Sequence, residues 1–164
     1  MKFMIGDKVV YPSHGPCRIG SVVMRTIAGL PARFYPLSFL DNSGNVVLVP
    51  IDKLSALPIR PLLAKSELPK LLGHLEKAKV SEKNWRQRDI DNARLLKSGS
   101  AFDLAEVIES LSEACATKLH RPHDRMVLER AKKILVCEIA EASGATIEAV
   151  TERVDEALKM RKRA

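Results

Sequence analysis

The spacing of the apolar residues changes near Pro61, and this limits the chain to folds in which a β module precedes a helical one. Before Pro61 the apolar residues come in short runs broken by turn formers. Lys8-Val9-Val10-Tyr11 stops at Pro12, and a stretch rich in β-branched residues runs from Cys17 to Ile27, followed by the turn Ala28-Gly29-Leu30-Pro31. From Phe34 to Leu40, Tyr35, Leu37 and Phe39 alternate with Pro36 and Ser38. Asp41-Asn42-Ser43-Gly44-Asn45 then turns into Val46-Val47-Leu48-Val49-Pro50. Pro36 has no amide donor, which predicts a free edge on its strand. Four or five short strands in so little chain predict a small, strongly bent barrel.

Beyond Pro61 the period moves towards 3.6. Ser66 is expected to cap a helix with Pro69 in its first turn and Leu68, Leu71, Leu72 and Leu75 as its stripe. Ser81 caps a second, from about Lys83 to Lys97, ending near Ser98-Gly99. Ser100 caps a third, with Leu104, Val107, Ile108, Leu111 and Cys115 on one face. Pro122 opens a fourth, with Asp124 in its first turn and Val127, Ala131, Ile134, Leu135 and Ile139 facing in, and Ser143-Gly144 ends it. Thr146 caps a fifth, carrying Ile147, Val150, Val154 and Leu158, which runs into the basic tail Lys159-Met160-Arg161-Lys162-Arg163. The expectation is an α+β protein of two modules: a β barrel over residues 1–60, then an all-α bundle of about five helices over 61–164, with the boundary near Ile59 to Ala64.

Charge suggests the partner. The 27 Lys and Arg against 20 Asp and Glu leave +7, which suits a polyanion. Residues 1–61 hold seven basic and three acidic residues, leaving 20 and 17 for the helical part, so what matters there is clustering. The clusters run from Lys77 to Arg94, from Lys118 to Lys133, and through the tail; local patches of this kind bind phosphate. No apolar run reaches the length of a membrane span, and Met1 to Asp7 has no signal-peptide core, so no membrane partner and a cytoplasmic location are expected. Cys17, Cys115 and Cys137 are three scattered cysteines, as expected of reduced thiols.

The chain's one tryptophan lies in Asn84-Trp85-Arg86-Gln87-Arg88. In a helix the residues three, four and seven beyond it are Arg88, Asp89 and Asn92, a polar face, which predicts an exposed indole. The alternative makes Trp85 a plug in the joint with the preceding helix. Aromatic wedges flanked by cations enter and distort a minor groove, the apolar group unstacking a step while the cations hold phosphates. Unstacking costs least where pairing is already broken, so such a wedge prefers a melted junction.

Catalysis finds no support. There is no phosphate-cradling glycine loop, paired-cysteine zinc motif or nucleophile elbow. Cys115 with His120 and His123 lacks a fourth metal ligand, and Cys17 near His14 lacks an orienting group, so no metal, no cofactor and no enzyme are expected.

The segments Gly6-Asp7-Lys8-Val9-Val10-Tyr11-Pro12-Ser13-His14-Gly15, Val49-Pro50, Asn84-Trp85-Arg86-Gln87-Arg88, Leu104-Ala105-Glu106-Val107 and Ala131-Lys132-Lys133-Ile134-Leu135 resemble, in order, the CarD/CdnL family of bacterial transcription regulators. Transcription-repair coupling factors share the β motif. The resemblance implies a Tudor-like (SH3-like) module that docks on the RNA polymerase β subunit, partly by sheet-edge pairing. It also implies a helical module whose tryptophan, here Trp85, wedges into the promoter minor groove at the upstream edge of the bubble and stabilises the open complex. Carried over by position, DNA contacts fall to Trp85, Arg86, Arg88 and Arg125, and polymerase contacts to Arg25, Val49 and Pro50. Lys132 lies on a helix that in the family approaches DNA. Relatives often have arginine where this chain has Gln87, a basic residue at Ile90, and in some cases arginine at Leu48; Pro36 is also unusual. The protein is then a monomer when free, nucleoid-associated through polymerase, with low sequence specificity because the minor-groove code is degenerate. The rival readings are an RNA- or ribosome-associated protein, a peptide reader using Tyr11, Phe34, Tyr35 and Phe39 as a cation cage, and last a cysteine hydrolase built on Cys17.

Overall fold

In the computed structural model of the protein the described residues are 3–77, 84–98, 100–116 and 120–163, with 161–163 described by their backbone alone. Among them the strands are β1 (Lys8–Tyr11), β2 (Gly15–Ile19), β3 (Val23–Ile27), β4 (Leu30–Phe39), β5 (Val46–Pro50) and β6 (Arg60–Pro61). The helices are α1 (Leu68–Glu76), α2 (Trp85–Ser98), α3 (Ala101–Cys115), α4 (Pro122–Ser143) and α5 (Ile147–Arg163). The expected caps at Ser81, the helix start at Lys83, the stop at Gly99 and the cluster residue Lys118 lie outside the described residues.

The stretch expected as one strand from Cys17 to Ile27 is two, β2 and β3, both antiparallel to β4. Cys17 pairs with Phe39 and Ile19 with Leu37, while Val23 pairs with Phe34 and Ile27 with Leu30. Because β5 occupies the other side of β4 from Phe34 to Ser38, β2 and β3 share one side of it, and the chain bends between them at Gly20. Pro36 therefore belongs to the most heavily paired strand and makes no free edge. The physical reason is local: in a strand a residue's N–H and C=O point to the same side. The Pro36 carbonyl points at the bend, where it accepts the Gly20 N–H at 2.8 Å, so the donor that proline lacks would also have met the bend. Glycine is required opposite, since a Cβ on Gly20 would sit 2.9 Å from the Pro36 ring Cγ.

One apolar cluster fills this antiparallel Tudor-like module: Val9, Cys17, Ile19, Leu37, Val49, Leu54 and Ile59, with Tyr11, Tyr35 and Phe39 packed against it. The helical module has its own, built from Leu71 and Leu75 of α1, Leu104, Ile108 and Leu111 of α3, Leu135 and Ile139 of α4, and Val150 and Val154 of α5. The expected stripes of α1, α3, α4 and α5 face this core, with Val127 and Leu72 at its margin and Ile147 exposed. Ser66 is not a cap: it lies in a short 3-10 turn that leads into α1. Thr146 does cap α5, its hydroxyl accepting the Ala149 N–H at 3.1 Å, and Gly144 ends α4 with a left-handed φ of 76°.

Helix α4 also joins the modules. Fully buried Glu138 accepts from Arg60 Nη1 at 2.7 Å and Nη2 at 2.6 Å, and from the Leu63 N–H at 2.8 Å. Lys8 pairs with Glu141 at 2.7 Å, Arg130 donates to the Ser13 carbonyl at 2.9 Å, and Ile134 packs on the Cα side of Gly15. The last strand and the residues after it are thus tied to the longest helix by charge-assisted bonds.

Candidate functional site

Helix α2 starts at Trp85 because Asn84 caps it: the Asn84 Oδ1 accepts the Gln87 N–H at 2.9 Å, and its carbonyl accepts the Arg88 N–H at 3.0 Å. The indole, at the first helical position, is 48% exposed. The plug alternative is therefore not what the structure shows, but the premise behind the exposed reading is overturned. The polar face of α2 is its inward face: Asn92 is buried and Arg88 is half-buried, whereas Ile90 is 64% exposed. Charge pairing turns that face inward. Arg88 pairs with Asp124 at 3.5 Å, and Asp89 accepts from Arg121 at 2.7 Å. Among the described residues, α2's apolar contacts with the core come from Leu95 and Leu96 near its far end, so ion pairs hold the tryptophan end.

Asp124, third residue of α4 and 1% exposed, is the centre of this network. Its carboxylate accepts the Arg121 backbone N–H at 3.2 Å, Arg121 Nη2 at 2.7 Å and Arg121 Nε at 3.4 Å. Burial opposes its ionisation, but the hydrogen bonds from Arg121 and the charges of Arg121 and Arg88 outweigh that and hold the carboxyl below the usual aspartate range. The same carboxylates push the Arg121 guanidinium further into its charged range. Among the described residues two cations approach the indole: Arg86 at 5.2 Å and Arg121 at 4.6 Å from the ring centroid. Sequence reasoning found Arg86 and missed Arg121, which is distant in the chain and carries no periodic signal. Of the expected DNA contacts, Arg86 and Arg125 are exposed, while Arg88 is turned onto Asp124. Lys132 is paired with Asp155 at 2.7 Å.

The second surface is the β3–β4 hairpin. Among the described residues β3 pairs only with β4, so its outer side has no strand partner, although the Met24 carbonyl accepts Arg25 Nη1 at 3.0 Å. Arg25, the middle residue of β3, is exposed with Met24 and Ile27, and Leu30 follows across the turn. The other two residues expected to meet polymerase are placed differently. Val49 is in the module's core, 4% exposed, and Pro50 is half-buried, paired with Phe34 on the far side of β4 from β3. The aromatics spend their faces on one another and the core, Tyr11 and Phe39 edge to face at 6.5 Å and His14 stacked on Phe39 at 5.9 Å. Burial pushes the Cys17 and Cys137 thiols up to about 11, leaving them poor nucleophiles. Among the described residues no three His, Cys, Asp or Glu side chains converge as metal ligands, and no helix is long and apolar enough to cross a membrane.

Comparison with known proteins accounts for both modules. Residues 3–63 match the family model described as the CarD-like/TRCF RID domain, and residues 70–155 match that of the CarD C-terminal domain. Together these define a transcription factor with an RNA polymerase-interacting domain, a class of non-catalytic regulators. The chain belongs to the CarD family. It is 26% identical over 147 residues to YdeB of Bacillus subtilis (strain 168), a match covering 88% of this chain and 94% of that protein. It is also similar to the NMR structure of the 72-residue N-terminal domain of Myxococcus xanthus CarD, at 33% identity, covering 37% of this chain and 79% of that one with a TM-score of 0.29.

Proposed function

We propose that this protein grips the β subunit of RNA polymerase with its β module, residues 1–60, and stabilises the open promoter complex with its helical module, residues 61–164. Trp85 is the wedge in the minor groove at the upstream edge of the bubble. The observation that carries this is the half-exposed indole at the first position of α2, with the exposed Arg86 beside it, in a chain of the CarD family. Arg86 and Arg125 are the phosphate contacts; Arg88 serves the wedge from behind, through Asp124. On the β module, Arg25 and the open edge of β3 are the polymerase contact, and Val49 and Pro50 support it from within the sheet. A ligand that prefers the open state shifts the equilibrium only by its differential affinity, so the DNA contact is weak alone and effective when tethered to polymerase. The test is the lifetime of open complexes challenged with competitor DNA, at saturating protein. Trp85→Ala shortens it with fold and polymerase affinity unchanged; a wild-type lifetime would sink the wedge reading.

A further inference from the structure

We propose that Arg121 is a positioning residue for Trp85, a flat plate that fixes the plane of the indole at the edge of the bundle. The proposal deepens, and rests on, the wedge reading above. A guanidinium offers its edges to carboxylates and its face to aromatic rings, and can do both at once. Arg121 does so. Its Nη2 lies 2.7 Å from Asp89 Oδ1 on α2 and 2.7 Å from Asp124 Oδ1 on α4, its Nε is 3.4 Å from Asp124 Oδ2, and its carbon is 4.6 Å from the Trp85 centroid.

The network defines what Arg121 cannot do as well. Its charge is met by two carboxylates, so it has little left for a phosphate, unlike the exposed Arg86 on the same ring. Asp89 is four residues beyond Trp85, one turn along the same helix, and Asp124 is anchored by its own burial and by the Arg121 backbone N–H. The guanidinium therefore ties the start of α2 to the start of α4 and lies against the exposed indole at that end. An indole that is half exposed at the first position of a helix otherwise samples several rotamers. A wedge that must choose its rotamer at the moment of insertion loses affinity by that entropy, and one already oriented does not.

Trp85 is the chain's single tryptophan, so its motion is read directly from intrinsic fluorescence in the full-length protein. The variants are Arg121→Ala, Arg121→Lys, which keeps the charge without the plate, and Asp89→Asn, which loosens the plate while leaving Asp124 paired. Time-resolved anisotropy of the free protein is expected to gain a larger fast component in Arg121→Ala and Arg121→Lys, and a smaller gain in Asp89→Asn. Open-complex lifetimes shorten in the same order, by about three- to tenfold for Arg121→Ala, the scale of a misplaced contact group. Polymerase affinity is unchanged. The slope of log lifetime against log salt also stays at the wild-type value. A slope reduced by about one would mean that Arg121 itself holds a phosphate and would overturn the proposal. So would an indole as rigid as wild type in Arg121→Ala and Arg121→Lys. If Arg121→Ala fails to fold, Arg121→Lys and Asp89→Asn decide by the same readouts. Should Trp85→Ala leave lifetimes untouched, the wedge reading falls by itself, and anisotropy still shows whether Arg121 holds the ring.

Discussion

Glu138 and Arg60 face each other as a two-pronged ion pair across the junction of the modules, 2.6 and 2.7 Å between their oxygens and nitrogens, and the same carboxylate holds the Leu63 N–H. Removing one partner of a buried pair costs far more than the pair is worth against an apolar substitute. Glu138→Ala takes the acceptor from Leu63 and a carboxylate from Arg60. The expected loss is about 2–4 kcal/mol, below the figure for a fully dry pair because Arg60 keeps some solvent. Urea unfolding measures it, and a loss under about 1 kcal/mol would show that the other contacts of the junction carry its stability.

The Gly20–Pro36 contact is a second tight point. Gly20→Ala would set a methyl group 2.9 Å from the Pro36 ring Cγ and 3.3 Å from the Pro36 carbonyl oxygen, so repuckering the ring relieves only the first contact. A cost of about 1–3 kcal/mol is expected, as for overpacking elsewhere. The bend sets the direction of β3, so polymerase binding should fall with it. An alanine variant as stable as wild type would mean that the sheet absorbs the shift without cost.

Ala28 is strained. It and Gly29 form the two-residue turn between β3 and β4, with φ of 52° and 80°. A left-handed backbone suits asparagine far better than alanine, and Asn-Gly is the preferred pair for such a hairpin. Ala28→Asn is expected to stabilise the protein by about 0.5–1 kcal/mol, seen as a higher melting temperature. A lower one would show that the Ala28 methyl makes a contact worth more than the relief.

Asp124 predicts the acid limb of the stability profile. Its folded-state pKa lies below that of the unfolded chain, so its contribution is full above about pH 4 and is lost as pH falls through the folded value. Asp124→Asn should therefore be the less stable protein at neutral pH but lose stability less steeply below pH 4. Parallel acid limbs for the two proteins would remove Asp124 from that role.

Most element limits were legible because each had a local chemical marker: Pro122 and Gly144 for α4, Thr146 for α5, the Asp41–Asn45 turn before β5. Two inferences failed where a local rule met a tertiary partner. Pro36 obeys the rule that proline lacks a donor, yet the consequence was absorbed by Gly20, which approaches from the one side where no donor is needed. The run Arg88, Asp89, Asn92 follows the pattern of a solvated face, yet Asp124 and Arg121 supply opposite charges and turn it inward. The tryptophan stays half-exposed because it sits at the helix end, not because its neighbours are polar. Arg121 was invisible in the sequence: a lone arginine before a proline looks like any surface cation until the fold brings an indole against it.

Arg25 is the sharpest test of the proposed polymerase surface. Arg25→Glu should weaken binding to polymerase by at least about tenfold, the order of a lost interfacial charge pair, with far-UV circular dichroism unchanged. Unaltered binding would move the contact elsewhere on the sheet.

The open edge of β3 also bears on self-association. An unpaired strand with Met24 and Ile27 exposed invites a second copy to complete the ladder. Yet Arg25 is central in Val23–Ile27, so the antiparallel register that pairs all five residues sets one guanidinium against its twin, and like charges directly opposite repel. That register is therefore disfavoured between two copies of this chain, whereas a strand bringing an acidic residue opposite Arg25 would meet the same edge without repulsion.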